Sequence, residues 1–173
     1  MSSEILKPAV IFDRDGTLNL DRGYTFRPED LEFTPGAERA IAGLNARGIL
    51  ALVATNQSGV ARGLYSEADV DAFHAEMQRA LAASGAHIDG FYMCPFHEDA
   101  VVAAYRATNH PDRKPNPGMI ARAIAEWRID PARALVIGDR DHDLAAARAA
   151  HVRGALYDGG DLSELVARET SLW

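Results

Sequence analysis

The sequence predicts a three-layer α/β fold in which helices cover both faces of a central, mainly parallel sheet. Three observations lead there. Short apolar runs alternate with longer segments of helical period, as expected for strands buried on both sides. The runs end abruptly in polar or acidic turns, at the sheet edge where open α/β folds bind ligands. Finally, 173 residues that are 47% hydrophobic can bury one continuous core without staples, so a single domain over residues 1–173 is expected.

The apolar runs at 9–12, 49–55, 88–94, 134–138 and 154–157 read as five strands. Thr34-Pro35 reads as the N-cap and first-turn proline of a helix with Ala37, Ala40, Ile41 and Leu44 on one face, stopped by Gly48. Ser66 and Asp69 form a capping-box pattern ahead of Val70, Phe73, Met77 and Leu81, with Gly85 as the stop. A further helix follows Asn116-Pro117, with Ile120, Ala123, Ile124 and Trp127 as core contacts. Residues 19–33 and 95–116 fit neither period, and the second stretch is long enough to be a functional excursion.

Composition narrows the partners. A net charge of −7 argues against nucleic acid and against an anionic membrane surface, both of which would repel the chain. Cys94 is the single cysteine, so no intramolecular disulfide can form. No apolar run approaches the ~20 residues of a membrane span, and Met1-Ser2-Ser3-Glu4 carries no basic region followed by a long apolar stretch. A cytoplasmic monomer is expected.

The strand ends carry the chemistry. Asp13-Arg14-Asp15-Gly16-Thr17 follows the first strand, and its two carboxylates repel each other unless a cation offsets them; oxygen ligands of this kind suit Mg²⁺. Thr55-Asn56-Gln57-Ser58-Gly59 ends the second strand with hydroxyl and amide donors. Arg113-Lys114-Pro115 puts two cations before a helix N-terminus, where anions are already favoured. Gly138-Asp139-Arg140-Asp141-His142-Asp143 ends the fourth strand, with Asp139 best placed to share a metal with Asp13 and Asp143 open to a capping role. Each segment alone fits an ordinary polar turn. Three follow strands and the fourth closes the long excursion, and their conjunction favours a functional site over four separate polar turns.

In order and spacing, Asp13-Arg-Asp15-Gly-Thr17, Thr55-Asn56, Lys114 and Gly138-Asp139-x-x-x-Asp143 resemble the four signature motifs of haloacid dehalogenase (HAD) superfamily phosphatases, across nearly the whole chain. Asp21-Arg22-Gly23-Tyr24, Ala61-Arg62-Gly63-Leu64 and Arg113-Lys114-Pro115 further resemble the subgroup of heptose 1,7-bisphosphate and histidinol-phosphate phosphatases, which is nearly capless. The resemblance implies a Rossmann-like fold with minimal or no cap. It also implies Asp13 as nucleophile, Asp15 as acid and base, Thr55 and Lys114 on the transferring phosphoryl group, and Mg²⁺ on Asp13, the Asp15 backbone carbonyl and Asp139. For Asp15 to donate a proton, burial beside other carboxylates is the expected cause. Substrate contacts are expected from Asp21, Arg22, Gly23, Tyr24, Asn56, Gln57, Ser58, Arg113 and Arg140, with Arg113 suited to a second phosphate.

One departure concerns zinc. Members of the subgroup hold the long loop with Cys-x-His and Cys-x-Cys, and three of the four ligands are changed here. Cys94, His97, His110 and Asp112 remain as a mixed donor set whose spacing does not compel zinc. Heptose 1,7-bisphosphate, losing its 7-phosphate, is the expected substrate, with histidinol phosphate as the rival. A phosphomutase needs a closed pocket, and no helical insertion of ~60 residues separates the first two motifs. A binding protein without turnover is a third alternative.

Overall fold

The computed structural model describes residues 6–173; the N-terminal stretch considered above for a signal lies outside them. Five strands, β1 (Lys7–Phe12), β2 (Leu50–Asn56), β3 (Gly90–Cys94), β4 (Ile129–Gly138) and β5 (Arg153–Leu156), form one sheet in the order β3-β2-β1-β4-β5. Every neighbouring pair is parallel. The strands fall where the apolar runs place them. The largest difference is β4, which starts at Ile129 because Lys7 pairs with it before an irregularity in register between Lys7 and Ala9.

Alternation along the strands divides the core into two layers. Val10, Phe12, Ala51 and Val53 face α1 (Ala37–Ala46), α3 (Glu67–Ala82) and α6 (Leu162–Glu169), which contribute Ile41, Leu44, Phe73, Met77 and Leu162. Ala9, Ile11, Leu52 and Ala54 face α4 (Gly118–Trp127) and α5 (Asp141–Ala149), which contribute Met119, Ile120, Ala123, Ala146 and Ala147. A four-residue α2 (Ser58–Ala61) follows β2 directly. The two segments without period stay largely irregular, with one short 3₁₀ turn each at Pro28–Asp30 and Ala103–Tyr105. No helix among the described residues is long and apolar enough to cross a membrane.

One helix start differs from expectation. Gly36, at φ 80°, occupies the cap of α1, and a Cβ there would come within 2.0 Å of Asp161 Oδ1. Thr34 instead donates its hydroxyl to the Thr17 carbonyl at 2.5 Å, fastening the turn after β1 to the start of α1. Asp161 caps α6 through Ser163 N at 2.9 Å, an element the apolar pattern did not single out.

The capping box of α3 is present as expected: Asp69 N donates to Ser66 Oγ at 3.2 Å and Ser66 N to Asp69 Oδ2 at 2.7 Å. Ser66→Ala should therefore lower stability by about 1 kcal/mol, measured as a shift in the urea midpoint with unchanged m-value. An unchanged midpoint would show that α3 is held by its buried face alone.

Candidate active site

β1 lies in the middle of the sheet, with β2 on one side and β4 on the other, so the segments leaving these three strands part at one edge and open a crevice there. Phe12 pairs with Ile137 in the β1–β4 register, and Asp13 N donates to the Ile137 carbonyl at 2.8 Å. Two glycines let the carboxylates close in. Gly16, at φ +83°, would place a Cβ 2.5 Å from Asp139 Oδ2, and a Cβ on Gly138 would sit 2.3 Å from the Asp143 carboxyl. Any side chain at either position displaces an aspartate.

The result is a group of three carboxylates, Asp13, Asp139 and Asp143, each offering an oxygen within 4.8 Å of the others. Lys114 enters it from the long excursion and is 3% exposed. Its Nζ lies 2.8 Å from Asp13 Oδ1, 2.6 Å from Asp143 Oδ1 and 2.7 Å from the Ala54 carbonyl. Burial alone would push the ammonium pKa down, but Asp13 and Asp143 outweigh it and hold it above the ordinary lysine value. Asn56 fixes the lysine's main chain by accepting from Lys114 N and donating to Lys114 O, both at 3.0 Å. The Asn56 amide thereby holds Lys114 while Asn56 also lines the cleft described below.

Asp139 is the carboxylate left over. Its Oδ1 is buried without a hydrogen-bond partner. Burial and then the charge of Asp13 push its pKa up to about 6. A buried, unsatisfied oxygen beside two further carboxylates fits a hard divalent cation such as Mg²⁺. Among the described residues the side chain of Asp143, not that of Asp15, completes this group.

Asp15 has different neighbours. Its Oδ1 accepts from Arg14 Nη2 at 3.1 Å and Asn19 Nδ2 at 3.0 Å, and its Oδ2 from Arg14 Nη2 at 3.0 Å and Gln57 Nε2 at 2.8 Å. The expected flanking carboxylates are thus replaced by donors. Gln57 also donates to Thr55 Oγ1 at 2.9 Å and accepts from Tyr65 Oη at 2.6 Å. Burial pushes the Tyr65 pKa up to about 12, so the phenol keeps its proton and fixes which end of the Gln57 amide faces Asp15. Gly59 makes room for it, since a Cβ there would lie 2.1 Å from the Tyr65 ring.

A cleft of about 310 Å³ opens over Asp13 and Asp15, and Asp21, Gly23, Tyr24, Asn56, Ser58, Arg113 and Arg140 also line it. Arg140 donates to Asp21 at 3.3 Å and lies 3.6 Å from Asp139, joining the loop at 21–25 to the carboxylate group. Arg22 does not reach the cleft; it pairs with Glu32 on the surface.

Residues 112–170 match the family model described as HAD-hydrolase-like. The D-glycero-beta-D-manno-heptose-1,7-bisphosphate 7-phosphatase of Rhodopseudomonas palustris is 44% identical over 161 residues, 92% of this chain and 88% of that protein. This chain belongs to the HAD-like hydrolases, on their phosphatase branch. The D-glycero-D-manno-heptose-1,7-bisphosphate 7-phosphatase of Thermosynechococcus vestitus is 42% identical over 158 residues, covering 89% and 80% of the two chains. The D,D-heptose 1,7-bisphosphate phosphatase of B. bronchiseptica, solved with magnesium and phosphate, superposes with a TM-score of 0.78 at 34% identity, covering 93% of this chain and 86% of that one.

In this HAD-like protein Asp13, Lys114, Asp139 and Asp143 come together, Asp143 from within the fourth motif. It stands at the third position of α5, where its Oδ2 accepts from Arg140 N at 3.1 Å while its Oδ1 faces Lys114. Arg14 and Tyr65 are further residues that the motifs alone did not bring out. The proposed zinc donors do not gather in the same way. Cys94 Sγ and His110 Nδ1 are 4.0 Å apart, but His110 Nδ1 accepts from Asp112 N, His97 Nδ1 accepts from Asp99 N, and Asp112 pairs with Arg122 at 3.2 Å. Phe96 stacks on His110 at 4.0 Å, an aromatic contact within the excursion.

The raised Asp139 pKa gives a sign for metal binding. In the metal-free protein this carboxyl holds a proton below about pH 6, and a cation must displace it. Calorimetric titration with Mg²⁺ should show affinity falling as pH drops through about 6, with proton release measurable as a buffer-dependent heat. Equal affinity at pH 5 and pH 8 would remove Asp139 from the metal set.

Proposed function

We propose that this chain hydrolyses a phosphomonoester of a small sugar through a phosphoaspartate on Asp13, and that its substrate is D-glycero-D-manno-heptose 1,7-bisphosphate, which loses the 7-phosphate. The observation that carries this proposal is the buried Lys114 ammonium between Asp13 and Asp143. An ionised carboxylate repels a phosphate ester. It can attack only where cationic groups are fixed in advance around the developing charge.

Asp13 forms a bond to phosphorus as the ester P–O bond breaks, and Asp15 gives a proton to the departing alkoxide. Asp15, now ionised, takes a proton from water as the water oxygen attacks phosphorus and the bond to Asp13 breaks, releasing inorganic phosphate. Thr55 Oγ1 accepts from Gln57, which leaves its own proton for a phosphoryl oxygen. Mg²⁺, held by Asp13, Asp139, Asp143 and the Asp15 backbone carbonyl, would spread the phosphoryl charge when bound.

Arg113 supports a bisphosphate over a monophosphate. It lines the cleft, donates to the Phe96 carbonyl at 3.3 Å and has no carboxylate within ion-pair distance among the described residues. A second phosphate would supply the missing anion, whereas histidinol phosphate would leave the guanidinium without one. A phosphomutase finds no support, because the described residues between β1 and β2 hold one 3₁₀ turn and α1 but no cap to retain an intermediate.

Steady-state assays with Mg²⁺ should give a kcat/KM for the heptose bisphosphate at least about tenfold above that for histidinol phosphate. Asp13→Asn should lose ~10³-fold or more on both. Faster turnover of histidinol phosphate would move the substrate assignment, and an active Asp13→Asn variant would remove the phosphoaspartate.

A further inference from the structure

Arg14 stands between the two aspartates of the first motif, and the chemistry above does not use it. It is the largest fully buried side chain among the described residues, at 0% exposure. Its guanidinium is enclosed by acceptors. Nε and Nη2 donate to Asp15 Oδ1 at 3.2 and 3.1 Å, and Nη2 reaches Asp15 Oδ2 at 3.0 Å and the Thr25 carbonyl at 2.6 Å. Nη1 lies 3.4 Å from His74 Nε2 in α3, and the guanidinium sits 4.4 Å over the Phe73 ring. Burial, then the charge of Arg14, drives the His74 pKa down to about 3, so the imidazole is neutral and accepts from the arginine.

Burying a guanidinium is costly, and an apolar residue would fill this part of the core more cheaply. What the arginine contributes is geometry. Its planar fork grips both oxygens of Asp15, while the Thr25 carbonyl ties the same nitrogen to the loop that carries Asp21, Gly23 and Tyr24 into the cleft. His74 and Phe73 fix the fork from α3.

We infer that Arg14 is a positioning residue for proton transfer: it sets the orientation of the Asp15 carboxyl and couples it to the position of the substrate loop at 21–25. This inference rests on the phosphoaspartate reaction proposed above. Loss of the fork should slow each step in which Asp15 moves a proton and spare the step in which it does not.

Leaving-group chemistry separates the two cases. An alkyl phosphate expels a strongly basic alkoxide that needs the Asp15 proton, whereas p-nitrophenolate departs as the anion. The test compares wild type, Arg14→Lys and Arg14→Gln on the heptose bisphosphate and on p-nitrophenyl phosphate, with Mg²⁺. Because kcat/KM reports only the steps through phosphoaspartate formation, the ratio of the two values on one preparation does not depend on the fraction folded. Arg14→Lys keeps the charge and lacks the fork. It should lose ~10²-fold in kcat/KM on the sugar phosphate and less than about threefold on the aryl phosphate. Slowed hydrolysis of the phosphoaspartate should also produce a p-nitrophenolate burst.

A parallel fall on both substrates without a burst would make Arg14 a structural residue only and overturn the inference, as would wild-type rates in both variants. If wild type itself releases no phosphate from either substrate, the proposed reaction falls together with the inference. If wild type is active and the ratio stays constant, only the inference falls.

Discussion

The Lys114 ammonium sits 2.8 Å from Asp13 and 2.6 Å from Asp143, and it is the cation that lets two carboxylates share a buried space. Most of the surrounding structure can be understood as holding that arrangement. Asn56 clamps the lysine's main chain from the end of β2, and the Ala54 carbonyl takes one of its ammonium protons. Gly16 and Gly138 leave the space that Asp139 and Asp143 occupy. The parallel order of β2, β1 and β4 sets the three aspartates and the lysine at one edge. Each is a constraint on backbone or volume, and each acts on where a charge can stand.

A second network holds Asp15 apart from that cluster. Arg14, Asn19 and Gln57 donate to its two oxygens, and Tyr65 sets the Gln57 amide. The two aspartates of one motif thus occupy opposite electrostatic settings. Asp13 belongs to a carboxylate group with one lysine, whereas Asp15 faces donors. The lysine fixes where Asp13 stands, and the donors fix the orientation of the Asp15 carboxyl.

The strands were legible in the sequence because they are buried on both faces, so their apolar runs stand out against the amphipathic helices. The catalytic motifs were legible because strand ends in a parallel sheet are ligand positions. Partnerships across the chain were less so. The family resemblance implied substrate contacts from Asn56 and Gln57, and both line the cleft, but it gave no sign that their amides also bond Lys114 and Asp15, 58 and 42 residues away. Asp143 read as a helix cap, and it does cap, but its other oxygen faces the lysine. Thr34 had the form of an N-cap, and a tertiary hydrogen bond to Thr17 claimed it. α6 was missed because eight residues carry only two turns of apolar period. Such errors arise where a local signal and a long-range partner compete for one side chain.

Removing the lysine charge while keeping its bulk tests the central claim most directly. Without Lys114 the Asp13 and Asp143 carboxylates would be left unpaired in a nearly dry site. Urea denaturation of Lys114→Met in the absence of Mg²⁺ should show a loss of about 3–5 kcal/mol at neutral pH. A variant as stable as wild type would mean that the ammonium is not what holds the carboxylates together.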